Sequence, residues 1–145
     1  MLVLTPDGAK SVLYASEGTG EGPGHTLARH VNISKEALRT RGLEFVPRGE
    51  ISVVTAFMDI HQCAQLLSLV IGSLRPDPFV NNFANIADGE KKDFVRVRTQ
   101  LAVPIRYCWG TQKGPTTDLF DLTVVKMKGR PFSLHVVTFY PRLEG

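Results

Sequence analysis

The residues able to carry chemistry in this 145-residue chain stand at two places far apart in sequence. Near its start, Gly24-His-Thr-Leu-Ala-Arg-His-Val31 holds the imidazoles of His25 and His30, and Arg41 follows eleven residues after the second. Near its end, Val137-Thr-Phe-Tyr-Pro141 holds the hydroxyl of Thr138 and the phenol of Tyr140. Imidazole titrates near neutral pH and can carry a proton. A guanidinium stays charged and offers two parallel donors to a phosphate. Two residues apart on a strand, Thr138 and Tyr140 share a face and can line one cleft, and the same alternation sets His135 with Val137 on the opposite face.

Other chemistries lack their signatures. The four histidines and two cysteines raise the question of a metal, but His25 and His30 lie roughly 140° apart on a continuous helix. No H-E-x-x-H, EF-hand loop or paired C-x-x-C occurs, so neither a metal site nor a cofactor is expected. No phosphate-binding G-x-x-x-x-G-K-[ST] loop occurs, which excludes P-loop nucleotide hydrolysis. Cys63 and Cys108 allow at most one disulfide; they read as buried small hydrophobes, with a bridge between them as the alternative.

Several elements must position these groups. Leu2 to Ala15 carries a short apolar patch at Val12, Leu13 and Tyr14, and Glu17 to Gly24 packs four glycines and a proline into eight residues, as a hinge or linker does. Residues 1–23 are therefore expected to be a linker or N-terminal extension, and 24–145 the functional domain. Thr26 to Val31 reads as one short helix. Asn32-Ile-Ser34 breaks it, with Ser34 as N-cap of a second helix that Glu36 suits and Gly42 ends. The break matters, because on one unbroken helix Arg41 would lie about 16 Å along the axis from His30.

Ile51 to Thr55 reads as a strand. Asp59 with Gln62 then resembles a capping box before a core helix whose apolar positions are Cys63, Leu67, Val70, Ile71 and Leu74, stopped by Pro76 and Pro78. The remainder is rich in β-formers: Phe94 to Val103, Ile105 to Trp109, Leu119 to Met127 and Phe132 to Tyr140, with Lys128-Gly-Arg-Pro131 as the turn of a terminal hairpin. Helices first and a meandering antiparallel sheet later predict an α+β fold.

Length and composition agree with one ordinary folded domain: 43% hydrophobic and 21% charged residues exclude disordered and fibrous classes. No apolar run is long enough to cross a membrane, and Met1 to Pro6 lacks the basic-then-apolar pattern of a signal peptide. The net charge of +3 is unevenly spread. Residues 1–90 hold 7 basic and 10 acidic side chains, a net of −3, whereas residues 91–145 hold 10 and 4, a net of +6. A basic C-terminal half suits a polyanion such as nucleic acid, and Lys91, Lys92, Arg96 and Arg98 are candidates to attract its phosphates. Trp109, Tyr107, Phe79 and Phe83 could add stacking surfaces, although buried aromatics are commoner.

The G-H-T-L-A-R-H-V opening, the T-x-Y-P ending and Thr55-Ala-Phe-Met-Asp59 together resemble the bacterial RNase A-like toxin domain found at the C-terminus of CdiA proteins of contact-dependent growth inhibition and of related polymorphic toxins. The resemblance spans roughly residues 24 to 142, with Pro76 to Trp109 outside the close match. It implies a fold like pancreatic ribonuclease without its disulfides, and metal-independent cleavage of RNA, often tRNA. The family's catalytic set falls on His30, Arg41, Thr138 and Tyr140.

On that resemblance, His30 takes the proton of a ribose 2′-hydroxyl as it attacks the adjacent phosphorus, and Arg41 stabilises the charge of the pentacoordinate state. Thr138 holds a base edge or phosphate oxygen, and Tyr140 stacks on a base or donates its phenol. The acid for the leaving group stays open among Tyr140, His25 and water. The resemblance further implies a monomer released from a larger secreted protein, acting in the cytosol of a neighbouring bacterium and neutralised by a cognate immunity protein. Two rivals stand beside it: a non-catalytic module whose basic sheet binds nucleic acid or protein, and a metal-dependent nuclease.

Overall fold

A computed structural model describes residues 4–18, 24, 26–43, 54–74, 87–105, 107–109, 116–129 and 131–142. Helix α1, Pro6–Ser16, starts where the Thr5 hydroxyl accepts from the Gly8 amide at 3.1 Å, with Pro6 and Asp7 in its first turn. Its buried side is Ala9, Val12, Leu13 and Ser16. The long core helix, Ile60–Ser73 (α4; α2 and α3 are described below), begins where the Asp59 carboxylate accepts from the Gln62 amide at 2.8 Å. The reciprocal half of the expected capping box shifts by one residue, because Gln62 Oε1 accepts from Met58 rather than Asp59.

Helices α1 and α4 pack on each other and share one core, in which Ala9, Val12 and Leu13 stand with Cys63, Leu67, Val70 and Phe139. The expectation that residues 1–23 are a linker is corrected to that extent: α1 buries an apolar stripe that only the rest of the domain can cover. The ends of the glycine-rich stretch are also fastened. Gly24 donates to Ser16 and accepts from Gly18, and the Glu17 carboxylate accepts from the Leu27 and Ala28 amides at 2.9 and 2.8 Å. Gly24 is required where it lies, since a Cβ there would sit 2.5 Å from the Val136 carbonyl oxygen.

Among the described residues the strands form two antiparallel sheets. Strand β1, Val54–Ala56, pairs with β3, Tyr107–Trp109. Strands β2 (Lys91–Pro104), β4 (Thr116–Lys126) and β5 (Leu134–Arg142) form a sheet in the order β2-β4-β5, and β4 with β5 is the expected terminal hairpin. One face of this sheet carries Phe120, Leu122, Val124, Val136 and Phe139 into the core. There Phe139 stacks with Phe57 at 5.0 Å and with Phe120 at 5.9 Å between ring centroids. The α+β class expected from the sequence is the class observed.

Two departures come from bulges. In β5, Thr123 pairs with Thr138 but Val124 pairs with Val136, so Val137 is an extra residue that resets the alternation. His135, opposite Val125, therefore shares the face of Thr138 and Tyr140, contrary to the simple parity argument. Its ring is fully buried. In β2, Phe94 pairs with Leu122 and Val97 with Phe120, leaving Val95 and Arg96 both opposite Asp121, with Arg96 at φ 59.

Candidate functional site

His30 closes the short helix α2, Thr26–His30, and that helix is tied down at both ends. At its start the Thr26 hydroxyl accepts from the Phe139 amide at 2.9 Å, and Glu17 caps the next two amides. At its end the His30 carbonyl accepts from the Phe57 amide at 2.6 Å and Asn32 donates to the Phe57 carbonyl at 2.9 Å, a parallel bridge that fastens α2 beside β1. The imidazole is held as well. His30 Nδ1 lies 3.1 Å from the Thr55 carbonyl oxygen. A carbonyl only accepts, so Nδ1 carries the proton, and in the neutral ring the lone pair is then on Nε2, the tautomer of a base.

The chain then turns through Asn32 at φ 52, a left-handed conformation that asparagine tolerates better than most residues. The Ser34 hydroxyl accepts from Ala37 at 3.1 Å, as expected of an N-cap, and α3, Lys35–Leu43, runs one residue past Gly42. This turn returns Arg41 to α2, where its Nη2 donates to the Arg29 carbonyl at 2.7 Å. The required break is present and brings Arg41 to the residue preceding His30.

From the far end of the chain, β5 delivers Tyr140, whose ring stacks on the His30 imidazole with centroids 4.9 Å apart and planes at 27°. Thr138, two residues earlier, is on the same face, and its Oγ1 is buried without a hydrogen-bond partner among the described residues. His30 of α2 and Tyr140 of β5 thus meet as a stacked pair, with Arg41 bonded to the residue before His30 and Thr138 on the Tyr140 face of β5. His25, the fifth catalytic candidate, lies outside the described residues, as do Phe79 and Phe83 and the side chains of Tyr107, Cys108 and Trp109.

Asp121 was not singled out by the sequence reading. Its carboxylate, nearly buried, accepts from Tyr140 Oη at 2.7 Å, Arg142 Nη1 at 2.8 Å and the Arg96 amide at 2.8 Å. The signal was present: a charge amid Leu119, Phe120, Leu122, Val124 and Val125 is out of place on a strand unless something answers it. Burial, and then the hydrogen bond and charge of Asp121, push the Tyr140 phenol up to about 12, with Arg142 opposing. Tyr140 is therefore a poor proton donor at neutral pH.

The basic candidates on β2 divide. Arg96 is exposed on the bulge opposite Asp121, and Arg98 is exposed but engaged with Asp118. Lys92 pairs with Val124, whose side chain is in the core, whereas Lys91 pairs with Val125 in the row of His135. Lys91, not Lys92, thus belongs to the Tyr140 face. Cys63 is free and buried, its thiol pushed up by burial and then by Glu17. Among the described residues no three or more His, Cys, Asp or Glu cluster as a metal set, and no helix is long and apolar enough to cross a membrane.

No protein-family model matches the chain, and no curated protein matches it. Among solved structures, it matches a chain of the CdiA-CT/CdiI complex from Y. kristensenii 33638 with a TM-score of 0.53 and 20% sequence identity, covering 83% of this chain and 100% of that one. At that identity the shared property is the fold.

Proposed function

We propose that this protein is a ribonuclease toxin of the contact-dependent growth inhibition type, with an RNase A-like mechanism that needs no metal. The observation that carries the reading is the stack of Tyr140 on His30, whose Nδ1 lies on a backbone carbonyl, with Arg41 bonded to the carbonyl of the residue before His30. That a fold neighbour is a chain of a CdiA-CT/CdiI complex supports the toxin reading. In the mechanism, His30 Nε2 takes the proton of the ribose 2′-hydroxyl while the 2′-oxygen bonds to phosphorus and the phosphorus–5′-oxygen bond breaks. The products are a 2′,3′-cyclic phosphate and a 5′-hydroxyl. Arg41 stabilises the charge on the phosphorane oxygens, and Thr138 Oγ1 is a hydroxyl for a substrate oxygen or base edge.

Tyr140 holds its proton tightly, which leaves protonation of the 5′-oxygen to water or to His25. Arg96, with Arg98 and Lys91, attracts the flanking phosphates; Lys92, on the other face, contributes only long-range charge. The domain acts as a monomer in the cytosol of a neighbouring bacterium, after release from a larger secreted protein, and a cognate immunity protein with an acidic surface blocks the basic face.

Purified protein incubated with total bacterial RNA in EDTA, beside His30→Ala, tests the reading on a denaturing gel. Discrete fragments from the wild type alone are expected. Intact RNA in both lanes, with retained RNA binding, would favour the binding module; cleavage abolished by EDTA would favour a metal-dependent nuclease.

A further inference from the structure

The candidate base is held by more than its own helix. A nearly buried carboxylate on the middle strand, Asp121, stands behind the ring that stacks on His30, and it also accepts the backbone amide of Arg96 on the adjacent strand. Arg96 is a non-glycine residue at φ 59 inside a bulge, a conformation that persists only where the surroundings impose it. One oxygen of Asp121, Oδ1, fixes that bulge, and the other, Oδ2, receives Tyr140 Oη and Arg142 Nη1. A carboxylate withdrawn from water must be answered by donors, and these three donors answer it from the two strands that flank its own.

We propose that Asp121 is a positioning residue of the reaction, holding the Tyr140 ring against the His30 imidazole and registering the cationic β2 bulge to the same place. The proposal rests on the ribonuclease reading above. Tyr140 is a two-torsion ring on a strand; the bond at its far end stops it from swinging away and so fixes the plane on which the imidazole lies. Asp121 touches neither substrate nor His30, and its effect passes through the phenol.

Asp121→Asn separates the two halves of this arrangement. The amide oxygen can still accept from the Arg96 amide, so the bulge keeps its partner. The amide nitrogen cannot accept from Arg142 or Tyr140. On a ribodinucleotide substrate, Asp121→Asn and Tyr140→Phe should each lower kcat about tenfold with KM within threefold, and the double variant should be no slower than either single one. Two spectroscopic readouts stand apart from turnover. The Tyr140 phenol, followed as tyrosinate absorbance against Tyr140→Phe, should titrate lower in Asp121→Asn than in the wild type, where it is pushed up to about 12, with burial still holding it above the ordinary tyrosine value. The His30 ring protons, shifted by the stacked phenol, should move towards unstacked positions.

An unchanged kcat in Tyr140→Phe would overturn the proposal even if Asp121→Asn proved too unstable to assay, and with a folded Asp121→Asn so would losses that multiply in the double variant. So would ring-proton positions of His30 that ignore Asp121→Asn. A wild type that cleaves no RNA, but whose His30 protons and Tyr140 titration move as stated, would instead refute the ribonuclease reading and leave Asp121 as the anchor of the stack.

Discussion

Arg41 Nη2 donates to the carbonyl of Arg29, 2.7 Å away, although the two residues belong to different helices. That bond converts a spacing of eleven residues after His30 into adjacency, and it depends on the left-handed turn at Asn32. Asn32→Gly should keep stability within a few tenths of a kcal/mol, whereas Asn32→Val should lose about 1–2 kcal/mol and most activity, because a β-branched residue resists positive φ. Urea unfolding and RNA cleavage of both variants check this.

Arg41 itself should not be replaceable by lysine. A point charge lacks the fork that can bond a carbonyl and a phosphate together, so Arg41→Lys and Arg41→Ala should both lower kcat by about 10²-fold. Single-turnover kinetics on a ribodinucleotide, with circular dichroism to confirm folding, would show whether lysine rescues.

Much of this arrangement was legible before the structure. Ser34 and Asp59 announced two helix starts, the spacing of Cys63, Leu67, Val70 and Ile71 announced the core helix, and Lys128 to Pro131 announced the hairpin turn. What was not legible shares one physical cause, contacts between residues far apart in sequence. Glycines between Gly18 and Gly24 look like a linker until Ser16, Glu17 and Gly24 are seen bonding α1 to α2 and β5. A bulge such as that at Val137 leaves little local trace, yet it reverses the face assigned to His135. Asp121 was visible only as an anomaly in an apolar strand, since its partners lie on β2 and β5.

Gly24→Ala tests whether the glycine-rich stretch belongs to the domain. The added methyl would meet the Val136 and Ser16 carbonyl oxygens at 2.5 and 2.6 Å, both backbone atoms that cannot step aside alone. A loss of about 1–3 kcal/mol in urea unfolding is expected. An unaltered midpoint would mean that the stretch lies free of the core.

The raised Tyr140 phenol makes stability depend on alkaline pH. Its folded value, about 12, exceeds the ordinary value of 10, so the folded state holds the proton more tightly than the unfolded chain. The stabilisation is complete below about pH 10 and is lost as pH rises from there towards 12. Urea midpoints measured from pH 8 to 11.5 should fall in the wild type, and fall less in Tyr140→Phe.

Salt dependence separates the basic residues of β2. In a His30→Ala background, Arg96→Ala should reduce the slope of log affinity against log salt for single-stranded RNA by about 0.7, and Lys92→Ala should leave it near the parent value. Fluorescence anisotropy across a salt series reads both.

The central claim is that a 2′-hydroxyl, deprotonated at His30, is the nucleophile. Two dinucleotides identical except for a ribose or a 2′-deoxyribose on the 5′ side of the phosphate, incubated in EDTA and resolved by mass spectrometry, address it directly. The account predicts a 2′,3′-cyclic phosphate from the ribose substrate, none from His30→Ala, and an intact deoxy substrate. Cleavage of the deoxy substrate at a similar rate would contradict it.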